Sequence, residues 1–129
     1  MLNAYPKQDL LRRWVEINSG SRNPDGVREI QESFSAELGR LGFTRRWVSG
    51  PAPAEILVGE KKGSTREWVT LVCHADTVFE KENGFQGFEW LDDRYARGPG
   101  VIDDKGSMVV LLLALEKFFA GSAPPPSIR

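Results

Sequence analysis

A chain of 129 residues can fold as one domain with a real core and is too short for two comfortable ones. Seventeen Lys and Arg against eighteen Asp and Glu leave a formal charge of −1, which gives neither the basic footprint of a nucleic-acid partner nor an acidic tail. One cysteine and one histidine exclude an internal disulfide, a cysteine-based zinc cluster and an all-histidine metal site within one chain. Any metal must therefore be held largely by carboxylates, or by residues from elsewhere.

The amino-terminal stretch Met1-Leu2-Asn3-Ala4-Tyr5-Pro6 shows no basic region followed by an apolar one, so no signal peptide is expected. The longest apolar run, Met108 to Leu115, falls well short of the ~20 residues of a membrane span. The expectation is a cytoplasmic chain with no membrane partner.

Leu10, Leu11, Trp14 and Val15 recur at helical spacing after Pro6 and predict a first amphipathic helix. The polar loop NSGSRNPDG ends in a start signal, since Asn23 can cap and Pro24 suits a first helical position. Val27, Ile30, Phe34, Leu38 and Leu41 hold the helical period as far as Gly42, a suitable residue just past the helix end. Phe43 to Val48 and Glu55 to Glu60 read as strands. Trp68 to Cys73 is almost continuously apolar and β-prone, and predicts a strand buried on both faces of a sheet. FEWLDDRYARG reads as two short strands around an Asp92-Asp93 turn. Asp104 to Ala120 is helical and apolar round most of its circumference, which predicts burial under neighbours. The tail from 120 to 129, AGSAPPPSIR, breaks that helix and is expected to stay extended as a Pro-rich tail or loop. The order suits an α/β domain with helices layered on a mixed sheet.

Two segments can carry chemistry. His74 and Asp76 stand at i and i+2 at the end of the apolar run, so an extended backbone points both to one side. A carboxylate beside an imidazole can take its second N–H and raise its basicity as a ligand. An equally short account makes His74 a strand-end residue and Asp76 the start of a loop. In ARGPGVIDDKGS, Gly98 and Gly100 permit positive φ and a close approach of the backbone, and Pro99 stiffens the turn between them. Asp103 then lies at the mouth of the last helix, either as a helix cap or as a carboxylate able to bridge two cations. Lys105-Gly106-Ser107 reverses the lysine and glycine of a phosphate loop, which excludes that motif. Cys73 and His74 are adjacent strand residues facing opposite sides, so they make a poor nucleophile–base pair, and Cys73 is expected in the core. Trp14, Trp47, Trp68 and Trp90 have no spacing of a stacking platform and read as core or hairpin residues.

Together, CHADTVFE and, some twenty residues on, ARGPGVIDDKGSMVVLLLALE resemble the dinuclear zinc metallopeptidase family of glutamate carboxypeptidase, aminoacylase, acetylornithine deacetylase and succinyl-diaminopimelate desuccinylase. INSGSRNPDGV and ELGRLGF also resemble that family's amino-terminal helices. The resemblance implies a partial zinc-exopeptidase-type catalytic domain. It makes His74 a ligand of one zinc, Asp76 the catalytic-site carboxylate that orients His74, and Asp103 the bridge between two metals. It also implies a cis peptide bond between Asp103 and Asp104, with Gly98, Gly100 and Asp104 shaping the turn.

The activity so implied is hydrolysis of an amide beside a free carboxylate in a small peptide or N-acyl amino acid. Two zinc ions, or cobalt or manganese in their place, would lie ~3.5–4 Å apart. The family's paired glutamates, late histidine and lid-and-dimerisation domain have no counterpart among these residues, and Glu116 sits mid-helix. The chain is therefore expected to be the amino-terminal portion of a catalytic domain, inactive by itself. The alternative is a truncated non-catalytic α/β protein that works as a self-association or partner-binding module, a homo-oligomer included.

Overall fold

The computed structural model describes residues 6–121 and 123–129; the remainder of the amino-terminal stretch and Ser122 of the tail lie outside the described residues. Helix α1 spans Gln8–Glu16 and helix α2 spans Pro24–Arg40. The second begins where the residues mark its start, because the Asn23 side chain accepts the Gly26 N–H at 3.4 Å and Pro24 takes the first helical position. Gly42 follows the end of α2 at φ 81°, a conformation that costs glycine little. Val27, Ile30, Phe34 and Leu38 form the buried face of α2.

Strands β1, Thr44–Val48, and β2, Ile56–Glu60, make an antiparallel hairpin in register from Thr44 opposite Glu60 to Val48 opposite Ile56. Strand β3 is only Trp68–Val69. Strands β4, Glu89–Trp90, and β5, Ala96–Arg97, pair antiparallel around the Asp92 turn, where Asp92 Oδ1 accepts the N–H groups of Arg94 and Tyr95. Helix α3 covers Lys105–Phe119, and strand β6, Ser127–Ile128, runs parallel to β3. A bridge between Lys61 and Ile128 places β6 between the end of β2 and β3. The result is a mixed α/β domain whose core joins Leu10 and Trp14 of α1, the buried face of α2, and Met108, Val109, Leu112 and Leu115 of α3.

Two expectations need correction. The apolar run 68–73 is not a strand buried on both faces. Its ladder stops at Val69, with one further bond from the Leu71 N–H to the Arg129 carbonyl, and Val72 is 90% exposed. Composition reports that a segment tolerates burial, whereas pairing needs a neighbour. Among the described residues β6 reaches no further, and a groove of about 460 Å³ opens between this run and β2. Helix α3 is not buried all round, since Val110 and Phe118 face outward. The tail is extended as expected, and its last residues pair as β6, with Ser127 and Ile128 buried.

Glu37 is a buried acid on α2 that ties three helices. It accepts from Lys7 Nζ at 2.9 Å and pairs with Arg40, while Lys7 also reaches Glu116 of α3 at 2.7 Å. Burial pushes the Glu37 carboxyl up, but the Lys7 hydrogen bond and the two positive charges outweigh it and hold it below its ordinary value. Burial likewise pulls Lys7 down, and its bonds to Glu116 and Glu37 leave it raised.

Candidate metal centre

The segment after β3 alternates. Ala75 turns into the core, while His74 and Asp76 on either side of it face an open cleft of about 450 Å³. His74 Nδ1 lies 3.2 Å from Asp76 Oδ1 and 3.0 Å from the Asp76 backbone carbonyl. His74 Nε2 lies 2.9 Å from Asp103 Oδ1. Asp103 is delivered by the Gly-Pro-Gly turn, where Pro99 and Gly100 are buried. A Cβ at Gly98 would stand 2.3 Å from Val15 Cγ1, and one at Gly100, which has φ 80°, would stand 2.9 Å from the Lys105 stem. The Asp103–Asp104 peptide bond is cis, as the resemblance implies.

Asp103 does not cap α3. Asp104 occupies the cap position, and its side chain instead accepts the His74 backbone N–H at 3.1 Å. His74 and Asp103 are thus held to each other both through side chains and through the residue that follows Asp103. Burial pulls the His74 ring down, yet its hydrogen bonds to Asp103 and the Asp76 backbone, with the charges of Asp76 and Asp104, leave it raised. Cys73 is half-buried and packs against the core. Burial and then the Asp104 charge push its thiol up to about 11, so it stays protonated and is no nucleophile.

Residues 74, 76, 98, 100, 103 and 104 therefore meet at one place, whereas Glu116 is engaged with Lys7. An imidazole nitrogen beside a carboxylate oxygen, with the other ring nitrogen already held by a carboxylate, suits a borderline cation such as zinc. Among the described residues no third His, Cys, Asp or Glu completes the set. The pair fits as two ligands of a metal site and not as a whole coordination shell.

Two residues of the site escape sequence reasoning. Ser21 Oγ lies 2.5 Å from Asp76 Oδ2, a contact across 55 positions that no local pattern announces. Lys105 is fully buried with its Nζ donating to the Ile17 carbonyl at 2.9 Å, and burial pushes the ammonium down to about 8. It pins the carboxyl end of α1 to the start of α3, under the turn that carries Asp103. The signal available in the sequence was a lysine at the first position of an apolar helix.

The chain is 32% identical over 108 residues to carboxypeptidase G2 of Pseudomonas sp. (strain RS-16), covering 82% of this chain and 26% of that protein. Its fold matches aminopeptidase PepT from Bacillus cereus ATCC 10987 with a TM-score of 0.71 at 16% identity, over 93% of this chain and 33% of the other. A tripeptidase from Staphylococcus aureus subsp. aureus Mu50 matches with a TM-score of 0.69 at 21% identity, over the same shares. No protein-family model matches the chain. Fold and sequence together place the chain beside the α/β domains of these peptidases. These likenesses support a partial chain of the peptidase family of glutamate carboxypeptidase, aminoacylase, acetylornithine deacetylase and succinyl-diaminopimelate desuccinylase, and the chain spans about a quarter to a third of the relatives' length.

Proposed function

We propose that this chain forms part of the catalytic domain of a zinc-dependent carboxypeptidase or amidohydrolase, which cleaves an amide next to a free carboxylate in a small peptide or N-acyl amino acid. The observation that carries the reading is the convergence of His74 Nε2 and Asp103 Oδ1 at 2.9 Å with Asp76 on the opposite ring nitrogen. When bound, divalent cations here supply polarisation of the scissile carbonyl and a lowered pKa for water. His74 and Asp103 would hold the cation, and Asp76 would keep the imidazole proton on Nδ1 and leave Nε2 to ligate. Gly98 and Gly100 let the backbone bring Asp103 to the imidazole. The general base is assigned to none of these residues, and residues 1–129 by themselves are inactive in this reading.

The test is zinc uptake and turnover of dipeptides and N-acyl amino acids by the chain. Weak zinc uptake that needs His74, with no turnover, is the expected result. Turnover that survives His74→Ala overturns the reading.

A second reading has its own observation. Val69, Leu71 and Val72 are exposed side by side on the run whose ladder stops short, which favours pairing with a second copy of the chain.

A further inference from the structure

The loop between α1 and α2 reaches into the candidate metal centre. Ser21 Oγ lies 2.5 Å from Asp76 Oδ2, Asp76 Oδ1 lies 3.2 Å from His74 Nδ1, and His74 Nε2 lies 2.9 Å from Asp103 Oδ1. The order of donors is set by chemistry. A carboxylate only accepts, so the serine hydroxyl donates to Asp76, and the Nδ1 proton of the imidazole is the other donor Asp76 receives.

Ser21 is itself placed by backbone. Its N–H donates to the Thr77 carbonyl at 3.0 Å, and the Thr77 N–H donates to the Ser19 carbonyl at 2.8 Å, a short parallel bridge centred on Gly20 and Thr77. Ser19, fully buried, adds a hydroxyl bond to the Ala75 carbonyl at 2.8 Å. None of these bonds uses the Ser21 hydroxyl, whose only contact with this backbone is a long one of 3.3 Å to the Thr77 carbonyl, so that hydroxyl can be removed without undoing the loop.

We propose that Ser21 is a positioning residue for this centre. Its hydroxyl holds the Asp76 carboxylate at the angle where Oδ1 accepts the His74 Nδ1 proton. The inference rests on the reading of His74 as a metal ligand. His74 Nδ1 also lies 3.0 Å from the Asp76 backbone carbonyl, so the proton stays on Nδ1 with or without the serine. What the serine controls is how much of that hydrogen bond goes to a charged acceptor. At equal geometry a bond to a carboxylate is roughly twice as strong as one to a neutral carbonyl, and it makes the imidazole a better ligand.

His74 is the only histidine, so its ring signals are read without overlap. The experiment records the Nδ1–H proton resonance and its exchange rate without metal in the wild-type chain, Ser21→Ala and Ser21→Thr. Zinc affinity by chelator competition and the melting temperature are measured on the same three samples. In Ser21→Ala the resonance is expected to move upfield, its exchange to quicken, and zinc affinity to fall roughly tenfold, the low end for loss of a ligand's supporting contact. Ser21→Thr restores all three, and the melting temperature stays within a few degrees throughout. An unchanged resonance and affinity in Ser21→Ala overturns the proposal, as does a loss that threonine fails to rescue. If the wild-type chain takes up no zinc, the metal reading fails while the proton resonance still decides the role of Ser21.

Discussion

At the scale of single residues, His74, Asp76 and Asp103 act as a set because each holds the next. Asp76 is the residue whose change isolates orientation from ligation, since it touches the ring nitrogen that does not ligate in the proposed site. Asp76→Asn is expected to weaken zinc binding by about 10–100-fold while leaving the fold intact, checked by chelator competition beside a thermal melt. The i, i+2 spacing already placed His74 and Asp76 on one side, and the glycines framed Asp103, so this much was legible in the sequence. Ser21 and Lys105 were not. Each acts through a contact made by tertiary approach, such as Ser21 across 55 positions and Lys105 across 88, and a lone residue type carries no trace of such a partner.

Among the elements, the helices, the β1–β2 hairpin and the β4–β5 pair follow from local rules, and β3 and β6 do not. Asn23 and Pro24 start α2 and Gly42 ends it, as the residue types predict. Asn23→Ala should cost about 0.5–2 kcal/mol in denaturant unfolding, the usual loss of a cap. Leu112 of α3 is fully buried in the core shared with α1 and α2, and Leu112→Ala should cost about 2–5 kcal/mol in the same measurement. The run 68–73 has all the composition of a buried strand, yet Val72 stands exposed, because burial of a strand is decided by which segment lies beside it.

The Glu37 cluster that joins the helices has a pH signature. Glu37 is held below its ordinary value of 4.5, so its contribution is present above that pH and is lost as the pH falls through the lower folded value. Below pH 4.5 the wild-type melting temperature should therefore fall more steeply than that of Glu37→Gln, which at neutral pH is less stable by about 1–3 kcal/mol. Parallel acid limbs in the two proteins would contradict this account.

On the scale of the whole molecule, a mixed α/β domain presents a packed core beside an open cleft and an open groove. No helix among the described residues is long and apolar enough to cross a membrane. If the exposed Val69, Leu71 and Val72 pair with a second copy, sedimentation should show a dimer that Val72→Lys converts to monomer. The central claim is that His74 and Asp103 together hold a divalent cation. Zinc titration of the wild type, His74→Ala and Asp103→Ala against a competing chromophoric chelator tests it most directly. Saturable uptake in the wild type, weakened at least roughly tenfold in each variant, is predicted for the loss of one of two ligands. Equal uptake by all three proteins would contradict it.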